Sequence, residues 1–314
     1  MGALVNALPQ LLIFLARHAP KFLAFGVLTG LLLPPLADFM RPALAPSIFA
    51  SLVLALLRMN FSDIVGQLRH PLRLVLFTTF GLFICPVGMA VLVAALGLPV
   101  GLGAGLVLMA ASAPIMSAPT FALMLGLDAA FAIAVVVLNH ILLPFTLPVM
   151  ALWLLGLDLQ ISLGAFMGRL GFMIGGGFAL AIIIKRWIIT PQQLARHSAH
   201  VDGLMVICLV VIAISIMAGV TEFFLARPTF ALLTVAAAFI ANAGLQAAGA
   251  LIFLPAGRKL AFTAGHMAGN CNMALILAVL ADKAQTEVVI FFALAQLPMY
   301  MLPIVATRIY RRLL

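Results

Sequence analysis

Two short polar stretches interrupt otherwise apolar sequence, one in each half of the chain. The first runs Ser112-Ala113-Pro114-Ile115-Met116-Ser117-Ala118-Pro119-Thr120, and the second Gly265-His266-Met267-Ala268-Gly269-Asn270-Cys271-Asn272. They lie about 153 positions apart, close to half of the 314-residue chain. Ser112, Ser117, Thr120, Asn270 and Asn272 offer short hydrogen-bonding side chains, and His266 is the one ionisable residue among them. A helix interrupted at membrane depth frees backbone N–H and C=O groups, which is tolerable only if they are buried in protein or line a cavity. The N-terminal end of a half-helix presents free N–H groups and partial positive charge, which suits an anion. Pro114 and Pro119 supply no N–H and free the carbonyls about four residues earlier. These six residues form the candidate binding set for an anionic group. The alternative is that proline and small residues only permit close helix crossing. A matched pair of breaks favours binding.

Two histidines widen the chemistry. His266 could donate to a bound anion or titrate near neutral pH as a proton-coupling group; the plainer role is a hydrogen-bonded packing histidine. His140, in Asn139-His140, falls inside an apolar segment and could pair with a break residue or simply join two helices. Asn242 and Gln246, one helical turn apart, are expected to join helices. Asp128 is expected at an interfacial turn, and Arg169 is expected to reach the interface from near a helix start. Enzyme chemistry finds no footing: there is no His-Glu-x-x-His, no Gly-x-Ser-x-Gly and no Walker lysine motif. No metal site is expected, and Cys85, Cys208 and Cys271 are expected to be buried thiols.

The elements that position these residues are set by composition. Hydrophobic residues make up 66% and charged residues 8%, against about 25% charged in a soluble domain. The chain is therefore expected to be polytopic, with the lipid bilayer as its surroundings. Its net charge of +9 does not point to nucleic acid, because the basic residues sit in short connections, where they suit an anionic leaflet. A spanning helix needs roughly 20 apolar residues. Ten candidates meet this, at about 20–40, 43–61, 72–96, 101–125, 129–155, 163–185, 203–225, 229–254, 260–281 and 288–310, preceded by an interfacial segment within 1–16.

With ten spans, 13 of the 17 Lys and Arg fall on the side of the termini, which predicts both termini in the cytoplasm. The breaks fall in the fourth and ninth spans, each the fourth of a five-helix half. Residues 17–157 and 158–314 then form two five-helix repeats, inverted because each has an odd number of spans. Paired breaks in inverted repeats are a plan of secondary transporters.

Several motifs carry a resemblance to a known family. Arg58-Met59-Asn60-Phe61-Ser62-Asp63 followed by Arg69-His70-Pro71, then Ile84-Cys85-Pro86, Ala110 to Thr120, and Leu142-Leu143-Pro144 through Pro148, together resemble the bile acid:sodium symporter family. The resemblance covers nearly the whole chain. It implies an all-α fold of ten transmembrane helices, with a panel domain (helices 1, 2, 6 and 7) and a core domain (3, 4, 5, 8, 9 and 10) in which broken helices 4 and 9 cross. It also implies organic anions as substrates.

The departures concern the ion. The family's fourth-helix motif Gly-Gly-Thr-Ala-Ser-Asn is replaced around Ser117-Ala118-Pro119. Two fifth-helix hydroxyls of the family fall at Ala132 and Val136, and a third-helix glutamine falls at Gly81. In the ninth-helix motif Glu-Val-Gly-Met-Gln-Asn, the glutamate falls at Met267 and the glutamine at Cys271; Asn272 is retained. Sodium needs several oxygen ligands, and thioether, thiol and alkyl groups cannot replace them. The two-sodium site is thus expected to be dismantled, which demotes sodium without excluding it and leaves a proton, through His140 or His266, as the other coupling ion.

The expectation is a secondary transporter of organic anions, bile acid-like or small carboxylates, in a bacterial inner or plasma membrane. Its substrate would be held by Ser112, Ser117, Thr120, His266, Asn270 and Asn272. A sodium symporter with rebuilt ion sites, an uncoupled facilitator or channel, and a membrane receptor are the alternatives. Monomer and homodimer both stay open.

Overall fold

The computed structural model describes residues 2–155, 162–280, 283–302 and Val305. The described chain is helical, and its α-helices in order are α1 (Gly2–Arg17), α2 (Ala19–Leu32), α3 (Pro34–Met40), α4 (Leu44–Arg58), α5 (Phe61–Gln67), α6 (Pro71–Thr79), α7 (Cys85–Leu96), α8 (Val100–Ala110), α9 (Ala118–Met124), α10 (Ala129–Leu155), α11 (Leu163–Ile183), α12 (Pro191–Arg196), α13 (Ser198–Ser215), α14 (Val220–Ala226), α15 (Pro228–Phe253), α16 (Arg258–Gly269), α17 (Met273–Leu280) and α18 (Thr286–Leu294). Several run together into longer rods. Six are long and apolar enough to cross a membrane: Pro34–Arg58, Pro71–Leu96, Ala129–Leu155, Leu163–Ile188, Ser198–Ala226 and Pro228–Ala256. Length and composition together make this an all-α integral membrane protein.

Proline decides where the helices are disturbed. The expected first span, 20–40, is divided at Leu33, which takes a non-helical conformation ahead of Pro34 and Pro35. A residue before proline is pushed out of the helical region. Beyond Leu33 the chain continues through a short 3-10 turn at Arg41–Ala43 into α4, so the expected connection near Arg41 is helical. Pro86 cannot give an N–H to the carbonyl of Leu82, and its ring crowds that carbonyl. There the rod 71–96 widens into a π turn over Phe80–Ile84.

The chain divides into two compact units. One comprises Met1–Met59 and Phe172–Glu222, the other Asn60–Gly171 and Phe223–Leu314. In the first, α13 is the central rod, packed by α1, α2 and α4. Ser215 Oγ donates to Met40 O at 2.8 Å, and Arg58 pairs with Asp202 at 2.6 Å. In the second, α15 and α16 pack along their lengths, α8 packs on α7 and α18, and α10 is surrounded by α5, α6, α7, α8, α9 and α16. Phe77 stands at the centre of an aromatic cluster with Phe80, Phe131 and Phe253. Tight contact between α15 and α16 depends on glycine: a Cβ at Gly265 would enter the backbone of Gln246, and one at Gly269 would meet Asn242 and the Gln246 side chain.

Candidate functional site

The two polar stretches meet inside the second unit. Helix α8 stops at Ala110, where Ser112 Oγ bonds back to Leu108 O at 2.7 Å and competes with the helical ladder. Pro114 then leaves the helix, and after a turn at Met116–Ser117 the chain re-enters a helix at Ala118, with Pro119 in the first turn of α9. On the other strand, α16 ends at Gly269 and α17 begins at Met273.

The extended residues between the half-helices pair with each other. Ile115 N donates to Asn270 O at 2.7 Å and Asn272 N donates to Ala113 O at 2.8 Å. Together they form a single antiparallel bridge centred on Pro114 and Cys271. Each break satisfies backbone groups that the other frees, which is what an apolar interior demands.

Side chains hold the second break from three directions. From α15, Asn242 Nδ2 donates to Gly269 O at 2.8 Å, and Gln246 Nε2 donates to Asn242 Oδ1 at 2.6 Å. Within the break, Asn270 Nδ2 donates to His266 O at 2.9 Å and lies 3.1 Å from His266 Nδ1. The carbonyl can only accept, so the amide nitrogen donates to Nδ1 as well and the ring proton belongs on Nε2. From α10, His140 Nε2 lies 3.3 Å from Asn272 Nδ2, and His140 Nδ1 lies 2.8 Å from Val136 O. Asn272 Oδ1 accepts from Leu275 N at 3.3 Å, which caps α17.

The predicted residues thus fall into three groups. Ser112, Ser117, His266 and Asn270 are buried at the crossing. Asn272 is half-buried beside it and Thr120 is exposed on α9. Ser117 Oγ, His266 Nε2 and Asn270 Oδ1 are buried without a hydrogen-bond partner among the described residues. Such groups cost about 1–3 kcal/mol each. The ring of Phe121, one turn after Ser117, lies edge-on to His266 with centroids 6.4 Å apart.

The positions aligned with the family's sodium ligands are also placed. Gly81 lies in the π turn, near Phe77 and Asn139. Ala132, Val136 and Met267 are fully buried, and the Cys271 thiol donates to Ala268 O. None of them carries an oxygen-bearing side chain. Among the described residues no group of three or more His, Cys, Asp or Glu side chains gathers as a metal-ligand set.

Other expectations resolve here. Asn242 joins α15 to α16, and Gln246 holds it from the next turn of α15. Asp128 caps α10 by accepting from Phe131 N at 3.0 Å. Arg169 donates to Val279 O near the end of α17, so its guanidinium is engaged within the protein. The three cysteines are free thiols; Cys85 and Cys271 are buried, and Cys208 is half-buried. Asn139, which had no role of its own in the sequence, gains one in the fold: its Oδ1 accepts from Thr78 Oγ1 at 2.8 Å, tying α10 to α6.

Fold and site together define an integral membrane protein of helices, with two discontinuous helices crossing in its interior. The chain matches no family model and no curated protein.

Proposed function

We propose that the chain is a secondary transporter of organic anions, bile acid-like or small carboxylates, working by alternating access. One observation carries this: two interrupted helices, one from each half of the chain, cross and hydrogen-bond through their breaks. Irregular backbone at membrane depth is costly, and carriers use it to build sites near the midplane. The substrate's anionic group binds at this crossing, among Ser112, Ser117, Thr120, His266, Asn270 and Asn272. The protein is a carrier and not an enzyme.

The architecture proposed with it has ten spans in two inverted repeats, both termini cytoplasmic, in a bacterial inner or plasma membrane. The six long helices support this. The split pairs α8/α9 and α16/α17 and the apolar helix Thr286–Leu302 add further apolar helical segments in keeping with it. The first compact unit takes in most of the expected spans 1, 2 and 7 and the latter part of span 6, and the second unit takes in the rest, a grouping close to the panel and core of the bile acid:sodium symporter family, which supports the resemblance. Met267, Cys271, Ala132, Val136 and Gly81 support coupling that does not use that family's two-sodium site. A proton is the coupling ion in this reading, held by His140 or His266.

Proteoliposome uptake tests the proposal. Carboxylates and a bile acid are offered with and without sodium, with and without an inward proton gradient. Expected are concentrative uptake driven by the proton gradient, and loss of that dependence in His266→Ala or His140→Ala. Ser117→Ala and Asn272→Ala are expected to weaken apparent affinity about 3- to 10-fold, one hydrogen bond each. Unchanged affinity and rate in both would remove the site. Absence of counterflow for every anion would remove the carrier.

A further inference from the structure

The hydrogen bonds around His140 form a chain with one fixed polarity. Val136 O can only accept, so His140 Nδ1 carries the proton of that 2.8 Å contact and Nε2 presents its lone pair. Asn272 Nδ2 donates to that lone pair at 3.3 Å. Its other end, Oδ1, accepts from Leu275 N at 3.3 Å as the cap of α17. The amide is therefore oriented from both sides. It is also half-buried, while His140 is fully buried, so Asn272 is the member with room to turn.

A second proton on His140 reverses one link. Nε2–H and Asn272 Nδ2–H would then point at each other, two donors with no acceptor between them. Turning the amide brings Oδ1 to the imidazolium, but Nδ2 then faces Leu275 N–H and cannot accept from it. With the oxygen turned to the imidazolium, no acceptor is left facing Leu275 N. We infer that His140 is a positioning residue whose protonation, through Asn272, uncaps α17 and frees its first-turn N–H groups at the crossing. Proton uptake and binding of a carboxylate there favour one another, and linkage makes the effect reciprocal. The device deepens the carrier reading and rests on it for its purpose, though not for its geometry.

Charged and titratable residues are carried by several of the elements around His140. Among the elements packed on α10, α5 carries Asp63, α6 carries Arg73, α7 carries Cys85, and α16 carries Arg258, Lys259 and His266; Asp128 precedes α10 itself. Arg73, Arg258 and Lys259 are exposed. Both ring nitrogens of His140 are taken by Val136 and Asn272.

Amide hydrogen exchange over residues 273–280 tests it, on the full chain in nanodiscs, corrected for the intrinsic pH dependence of exchange. Losing an N-cap corresponds to about a fivefold drop in protection, expected in the wild type between about pH 8 and about pH 3. Asn272→Asp keeps an acceptor for Leu275 N in both states of His140, so its protection stays level across that range. His140→Gln keeps an acceptor for Asn272 and does not titrate, so it stays level too. A level wild-type profile, or the wild-type drop retained in Asn272→Asp, overturns the switch. Anion uptake measured on the same preparation separates the two proposals. A pH-dependent cap with no uptake of any anion overturns the carrier alone. Uptake with a level wild-type profile overturns the switch alone.

Discussion

The two compact units bury different chemistry. Among the described residues, the unit built on α13 buries one polar side chain, Ser215, which is satisfied by Met40 O. The other unit buries Thr78, Ser112, Ser117, Asn139, His140, Thr234, Asn242, Thr263, His266, Asn270 and Gln296. Buried polar groups are expensive without partners, so their concentration in one unit marks where backbone irregularity had to be supported. Most of them lie on or against the two breaks. The first unit instead keeps its polar contacts toward its edges, as in the Arg58–Asp202 pair, both partly exposed.

Substitutions can sharpen that contrast. The largest effect is expected from Gly269→Leu, which drives a side chain into Asn242 and Gln246. Overpacking costs about 1–3 kcal/mol or more, and thermal unfolding in detergent should show a clear fall, whereas Gly175→Leu, whose Cβ meets open space, should leave the midpoint unchanged. Next comes Asn242→Leu, which strands the Gly269 carbonyl and the Gln246 amide. About 2 kcal/mol of destabilisation is expected from leaving buried partners unmet, read in the same assay and in faster exchange around residue 270. Ser215→Ala, in the apolar unit, should cost only about 0.6 kcal/mol, the usual worth of an interhelical hydrogen bond in a membrane protein. The smallest effect is expected from Asp202→Asn, about 0.3 kcal/mol and weaker at high salt, since the pair is partly exposed. If Ser215→Ala proved as costly as Asn242→Leu, the contrast between the units would fail.

The legible part of the fold is the part that side chains encode. The breaks are visible in the sequence because Pro114, Pro119 and a run of small polar residues cannot continue an apolar helix. The long rods are visible from apolar length. The division at Leu33 has its signal in Pro34 and Pro35, outweighed by the apolar run around it. The pairing of Ala113 with Asn272 and of Ile115 with Asn270 has no such signal, because it joins backbone atoms that every residue type possesses. The role of Asn242 as the partner of Gly269 O is hidden for the same reason: the acceptor is a glycine carbonyl. Arg169 resembles an interfacial arginine because an arginine near a helix start usually is one; only the fold brings Val279 O within its reach.

The crossing also bears on how the protein is made. Each break leaves backbone groups that only the other can satisfy, yet the second is synthesised about 155 residues after the first. At ribosomal speeds of roughly 5–20 residues per second, the first break waits about 8–30 s for its partner. During that interval Ala113 O and Ile115 N must borrow other partners, from water, from neighbouring helices or from the insertion machinery. Biogenesis of this protein therefore includes an exposed, half-finished membrane helix, and a chain truncated before residue 270 would keep that defect permanently.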